Sequence, residues 1–261
     1  MISVIIPIQN LTDQFNQNLE FLKKELEAHF GNFEIIIVHN NSIFFNTSND
    51  SNLIRENSHI IRINSHIQGK GQALKLGFEH SSGNKIVFLD GDFELHYSDI
   101  KNFVALLDLY EVDIVIGSKR HPYSQVNYPA VRRILSFAYQ VFIRIFLNLK
   151  GVRDSQVGLK LFRREVLEKS MPRLLCKTYA FDLELLTVAS HLGYHKILEA
   201  PIKLKYGGGF KQEGLKELIH LLKIAWPLLV DTLAIIYRLR ILKYYDCITK
   251  NTENTKTQKT A

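Results

Sequence analysis

The sequence predicts an α/β fold: a mostly parallel sheet flanked by helices, with amphipathic helices near its C-terminal end. Short β-branched runs alternate with stretches of helical apolar spacing through the first hundred residues. The strand-like runs are continuously apolar instead of alternating, as in strands covered on both faces. Basic residues crowd the last quarter, where 11 Lys and Arg face 5 Asp and Glu from Pro201 onward and are interleaved with Leu and Ile.

Residues 3–7 form the first such run. Leu19, Leu22, Leu26 and Phe30 follow at helical spacing. Residues 34–38 make a second buried strand and 60–63 a shorter third. A helix is expected over 72–80, a fourth strand over 85–89, a helix over 99–109 and a fifth strand over 113–116. Right-handed crossovers would make these strands parallel, with ligands bound beyond their carboxyl ends. Asn10, His39 and Asp90-Gly91-Asp92 all fall there. Residues 46–52 read as a solvated Asn/Ser-rich loop.

A chain of 261 residues that is 46% hydrophobic supports a packed core, which excludes a disordered polymer. Two cysteines, Cys176 and Cys247, are too few and too distant for a metal cage or disulfide framework, so a reduced compartment is expected. The opening run lacks the basic region of a secretion signal. The apolar stretch 224–237 is interrupted by Pro227 and Asp231 and falls short of the roughly 18–20 residues of a membrane span. Peripheral attachment to the cytoplasmic side of a membrane is therefore expected. The basic, apolar tail points to an anionic lipid surface; no nucleic-acid motif accompanies it, so nucleic acid is not an expected partner.

Asp90-Gly91-Asp92 directly follows an apolar strand, with Glu94 two residues on. Carboxylates so placed offer hard oxygen ligands to Mg²⁺ or Mn²⁺, which can bridge a diphosphate; a solvated turn is the alternative. Gln68-Gly69-Lys70-Gly71 enters a helix, where glycines allow close approach of an anion and Lys70 adds a point charge. The spacing is not that of a Walker loop.

Together, Ser3-Val4-Ile5-Ile6-Pro7, Gly69-Lys70-Gly71-Gln72-Ala73-Leu74 and Phe88-Leu89-Asp90-Gly91-Asp92 resemble family 2 inverting glycosyltransferases of GT-A fold. Val115-Ile116-Gly117-Ser118-Lys119-Arg120, the run from Asp154 to Arg164 and Ala180-Phe181-Asp182-Leu183-Glu184-Leu185 narrow the resemblance. They are similar to segments of the dolichyl-phosphate (polyprenyl-phosphate) mannose and glucose synthases. The likeness covers residues 1 to about 211. It implies metal and donor-diphosphate contacts at Asp90 and Asp92, with Glu94 as a further metal ligand where the family often has Gln. It implies that Arg120, Arg132 and Arg133 handle the acceptor phosphate, that Asp154 and Gln156 line the sugar pocket, and that Lys211 closes over the phosphates. Pro7, Asn10, His39, Asn40, Lys70 and Asp90 would bind the nucleotide sugar, UDP- or GDP-linked. Two departures stand out. The family carries an acid soon after Pro7, where this chain has Ile8-Gln9-Asn10, and Asp-Asp-Gly-Ser where it has His39-Asn40-Asn41-Ser42.

The implied reaction moves a sugar to a polyprenyl phosphate. A phosphate monoester, with its second pKa near ~6, is already a nucleophile at neutral pH and needs no strong base. A hydroxyl acceptor would need one, for which Asp182 or Glu184 is the candidate. The alternatives are a transferase acting on a glycan, and a catalytically silent membrane-associated binding module. Residues 131–149 carry apolar side chains on more than one face, as a core helix or one lying on lipid would. Residues 215–222 and 224–242 suggest a second helix pair below the site, with Trp226 as a packing or interface anchor. The expected organisation is a GT-A domain over 1–211, membrane-associating helices over 212–248 and a disordered tail over 249–261. A membrane-protein partner or homo-oligomer is left open.

Overall fold

The computed structural model describes residues 1–40, 53–55, 58–65, 67–124, 130–147, 149, 151–178, 180–203 and 215–246, with backbone alone for 130–138 and 215–225. In chain order the elements are β1 (Ile2–Ile8), α1 (Asp13–His29), β2 (Phe33–His39), β3 (Leu53–Arg55), β4 (Ile60–Asn64), α2 (Lys70–Glu79), β5 (Lys85–Leu89) and α3 (Asp99–Leu109). There follow β6 (Ile114–Ser118), α4 (Ala130–Leu147), β7 (Leu159–Arg163), α5 (Arg164–Ser170), α6 (Phe181–His191), β8 (Ile197–Pro201) and α7 (Leu215–Arg240).

Eight strands form one sheet in the order β3-β4-β2-β1-β5-β7-β6-β8. β1 pairs in parallel with both β2 and β5, β2 with β4, and β6 with β8; β3 and β7 run antiparallel to their neighbours. The chain steps outward from β1 to β2 and β4, then returns to the other side of β1 as β5. The crevice between β1 and β5 is thus the point where strand order reverses.

Successive side chains of the central strands feed two cores. Ile5, Ile36 and Val38 pack beneath α2, α4, α6 and α7, whereas Val4, Ile6, Ile35 and Ile37 pack against α1 and α3. This two-sided burial is why the strands are apolar at every position. α1 starts where Thr12 Oγ1 accepts the Phe15 N–H at 3.1 Å, with Asp13 in the first turn favoured by the helix dipole.

The structure departs from the sequence expectations in particular places. β3, β7 and β8 were not foreseen. α2 begins at Lys70, two residues early, so Lys70 lies on the helix and not before it. The expected helix pair at the C-terminal end is one helix, α7, continuous through Pro227. An interior proline costs a helix roughly 3 kcal/mol. The C-terminal half of α7 offsets this by burying Thr232 and Ile235 and by pairing Arg238 with Glu184. The tail expected over 249–261 lies outside the described residues.

Candidate active site

The carboxyl ends of β1, β2 and β5 open onto a cleft of about 610 Å³, lined among others by Pro7, Gln9, Asn10, Asn40, Lys70, Asp90, Asp92, Gln156 and Asp182. A second arm of about 450 Å³ shares Gln9, Asn10, Asn40 and Lys70 and adds Gln68, Gly69 and Thr178.

The acidic turn after β5 is held by its surroundings. Asp90 N–H donates to Gly158 O at 3.0 Å, and a Cβ on Gly158 would lie 2.0 Å from Asp90 Oδ2. Only glycine lets β7 approach this carboxylate so closely. Phe93 then turns the chain with φ of 51°, a left-handed conformation that costs a non-glycine residue about 1–2 kcal/mol. Its buried ring, 5.5 Å from that of Phe15, holds it there. Asp92 Oδ1 accepts the Glu94 N–H at 3.1 Å.

Lys70, at the first position of α2, places Nζ 2.7 Å from Asp90 Oδ1 and 3.1 Å from Asp182 Oδ2. Asp182 Oδ1 receives Lys160 Nζ at 2.6 Å, and Lys160 also donates to Val157 O. Lys160, Asp182, Lys70 and Asp90 thus form an alternating ladder from the interior to the cleft. Burial pulls the Lys70 ammonium down, but Asp182 and Asp90 outweigh it and raise its pKa above the usual lysine value. Burial raises the Asp182 carboxyl, yet Lys160 and Lys70 prevail and hold it below the usual carboxylate range. Asp92 is pushed up, by desolvation first and by the charges of Asp90 and Glu94, against the hydrogen bond from the Glu94 N–H.

Of the residues expected from sequence, the structure brings Pro7, Asn10, Asn40, Lys70, Asp90, Asp92 and Gln156 to one cleft. Glu94 is exposed and outside the lining. His39 is buried at the end of β2 and is not part of the lining. Asp154 lies behind the wall, where its Oδ2 accepts the Lys119 N–H at 3.1 Å and burial raises its pKa. Arg120 is half-buried in the turn after β6. Arg132 and Arg133 are on α4, described in backbone only; Lys211 is outside the described residues. Asp182 and Glu184 were candidate bases, and neither is available as one. Both Asp182 oxygens are occupied by ammonium groups. Glu184 is buried away from the cleft, where its Oε1 takes Arg238 Nη1 at 2.5 Å and the Tyr245 hydroxyl at 2.7 Å, and its Oε2 the N–H groups of Leu175 and Cys176 at 2.9 and 2.7 Å. Lys160 and Gln9 escaped sequence reasoning. The signal for Lys160 was a lysine inside the apolar run Leu159-Lys160-Leu161-Phe162.

The cleft suits a divalent cation by its donor set. Asp90 and Asp92 offer hard carboxylate oxygens from one turn; desolvation first, and the charges of Asp90 and Glu94 after it, raise the Asp92 carboxyl, and a bound cation would offset both. Among the described residues no three acidic, His or Cys side chains converge, so further ligands would come from a bound diphosphate. Gln156 Nε2 is buried without a partner among the described residues, a donor available to an oxygen-rich ligand.

The profile of glycosyl transferase family 2 matches residues 3–171. Dolichyl-phosphate beta-glucosyltransferase of Dictyostelium discoideum is 27% identical over 208 residues, covering 73% of this chain and 62% of the relative. The enzyme of the same name from Saccharomyces cerevisiae is 28% identical over 214 residues, covering 72% and 62%. The chain thus spans less than two thirds of the length of these relatives. Glucosyl-3-phosphoglycerate synthase from Mycobacterium tuberculosis, solved with Mn²⁺, UDP-glucose and phosphoglyceric acid, superposes with a TM-score of 0.62 at 18% identity, covering 90% of this chain and 79% of that one. That likeness shows the GT-A fold expected from the sequence.

Proposed function

The chain belongs to glycosyl transferase family 2, and on that basis we propose that it transfers a sugar, with inversion, from a nucleotide sugar to a polyprenyl phosphate of dolichyl type at a membrane surface. The names of the relatives favour glucose as the sugar. The observation that carries the choice of acceptor is the state of Asp182. Among the described residues, Asp182 is the one carboxylate lining the cleft besides Asp90 and Asp92, which would hold a cation, and two lysines hold it ionised and occupied. A cleft whose described lining holds no carboxylate poised to take a proton suits an acceptor that arrives already ionised.

Mg²⁺ or Mn²⁺ held by Asp90 and Asp92 would supply the Lewis acid for the leaving nucleoside diphosphate. Lys70, fixed between two carboxylates, presents a positive charge to the same diphosphate. Gln156 orients the sugar through its unpartnered amide. Arg120, Arg132 and Lys211 hold the acceptor phosphate, which brings two anions together that would otherwise repel.

The membrane role is supported by α4 and α7. Tyr139 and Thr232 join them through hydroxyls 2.8 Å apart, and Arg240 Nε donates to Phe146 O at 2.8 Å. Trp226, 68% exposed, begins an outward apolar row continued by Val230, Leu233, Tyr237 and Ile241, the spacing of one helix face. Arg144 of α4, and Arg240 and Lys243 at the end of α7, are exposed as well. No described helix is long and apolar enough to cross a membrane; an amphipathic face with basic flanks suits one that lies on the lipid.

The test is transfer itself. The full chain is incubated with UDP-glucose or GDP-mannose, Mn²⁺, and anionic vesicles carrying dolichyl phosphate. A glycosylated lipid phosphate is expected; its absence with both donors overturns the proposal.

A further inference from the structure

Gln156 reaches the cleft from a segment between α4 and β7, residues 151–158, that is neither helix nor strand. Two carboxylates hold its backbone instead. Glu199 Oε1, from β8, accepts the N–H groups of Arg153 and Asp154 at 2.5 and 3.0 Å. Asp154 Oδ2 accepts the Lys119 N–H at 3.1 Å, and the Gln156 N–H donates to the same carboxylate. Ser155 and Val157 are buried on either side of Gln156, so its carboxamide grows from a fixed root.

Glu199 stands apart from its own strand. Its neighbours along β8, Ile197, Leu198 and Ala200, are apolar, it lies opposite Ile116 of β6, and it is not part of the cleft lining. Burial pushes its carboxyl above the usual carboxylate range, against the pull of the two N–H groups, and the charge of Asp154 adds to the rise. The fold carries a half-buried charge there, and that charge holds two N–H groups of one irregular segment.

Resting on the reading of Gln156 as the side chain that orients the donor sugar, we infer that Glu199 is a positioning residue for sugar transfer. It touches no substrate and fixes how far Gln156 stands into the cleft. Reach matters here more than charge. A glutamine at 199 keeps an oxygen that can accept both N–H groups, whereas an aspartate keeps the charge but draws the oxygen back by one methylene. A shift of about 1 Å in the segment spoils a hydrogen bond to a sugar hydroxyl. The diphosphate does not sense it, because Asp90, Asp92 and Lys70 are held at the end of β5 and the start of α2.

Calorimetric titration of the full chain with UDP and UDP-glucose, and with GDP and GDP-mannose, in the presence of Mn²⁺, tests this. Glu199→Ala is expected to bind the nucleotide sugar roughly tenfold more weakly than the wild type, and the nucleoside diphosphate as before. Gln156→Ala should show the same loss, and the double variant no more than either alone, because Glu199 acts through Gln156. Glu199→Gln should stay within about threefold of the wild type, and Glu199→Asp should follow Glu199→Ala. Losses that add in the double variant, an equal loss for nucleotide and nucleotide sugar, or wild-type affinity in Glu199→Ala each overturn the inference and leave the donor site standing. Should Glu199→Ala fail to fold, wild-type affinity of Glu199→Asp for the nucleotide sugar overturns it. A wild type that binds none of the four ligands at millimolar concentration, or a Gln156→Ala variant without effect, overturns the reading of the donor site and this inference with it.

Discussion

Lys160 Nζ lies 2.6 Å from Asp182 Oδ1 with both side chains buried, so the centre of the molecule holds a complete ion pair. Removing one partner strands the other charge away from water. Asp182→Asn is expected to destabilise the fold by about 3–5 kcal/mol in urea unfolding, and adding Lys160→Met to recover most of that loss. An unchanged midpoint in Asp182→Asn would show that the pair contributes nothing.

The same pair has a pH signature. Asp182 is held below its unfolded pKa, about 3.9. Its contribution is therefore complete above the unfolded value and is lost as pH falls through the lower folded value. The stability difference between wild type and the Asp182→Asn/Lys160→Met double variant should change on the acid side only below about pH 4. A change beginning near pH 6 would contradict the depressed pKa.

Asp92 is exposed at the rim, and among the described residues its carboxylate accepts only a local hydrogen bond, from the Glu94 N–H. Asp92→Asn should alter stability by less than about 0.5 kcal/mol. It should abolish Mn²⁺-dependent binding of UDP or GDP, read by calorimetry. Retained Mn²⁺-dependent binding would remove Asp92 from the cation site.

Gly158 is a steric test of Asp90. A methyl group there would meet Asp90 Oδ2, Cγ and Cβ at 2.0, 2.3 and 2.8 Å, so the carboxylate must swing aside. Gly158→Ala is expected to weaken Mn²⁺ binding at least tenfold, measured by titration, while far-UV circular dichroism stays native. Wild-type affinity would mean that Asp90 is not a ligand.

Membrane attachment is best tested by substitution. Leu233→Glu with Tyr237→Glu changes two exposed residues of α7 and should release the protein from anionic vesicles at unchanged melting temperature; high salt should weaken wild-type binding without abolishing it. Removing residues 212–261 should instead unfold the chain, because Glu184 would lose Arg238 and Tyr245 and remain buried as an unpaired carboxylate.

The parallel half of the sheet was legible because β1, β2 and β5 are β-branched runs buried on both faces, a pattern no surface segment shares. β7 was not, since Lys160 and Arg163 interrupt its apolar pattern and periodicity does not reveal that it inserts antiparallel between β5 and β6. Asp90 and Asp92 could be assigned to the site because ends of adjacent parallel strands converge, Lys70 because glycines flank it at a helix entry, and Asn40 through the family resemblance alone. Asp182 and Glu184, two residues apart, looked interchangeable on paper. Their roles separate only when α6 is packed, one facing the lysine ladder and the other the end of α7. The break expected between residues 222 and 224 is absent for a related reason: contacts from the far half of α7 hold it as one helix, and they also override the local preference of Pro227.

That separation on α6 has a mechanical consequence. One turn of α6 is bolted on one side to the floor of the cleft through Asp182 and on the other to the surface helix through Glu184 and Arg238. A load on the C-terminal half of α7 bears on α6 through Arg238 and Glu184, and α6 in turn carries, through Asp182, the ammonium group beside Asp90. The cleft and the outward face of α7 are thus tied together through two side chains on one turn of one helix.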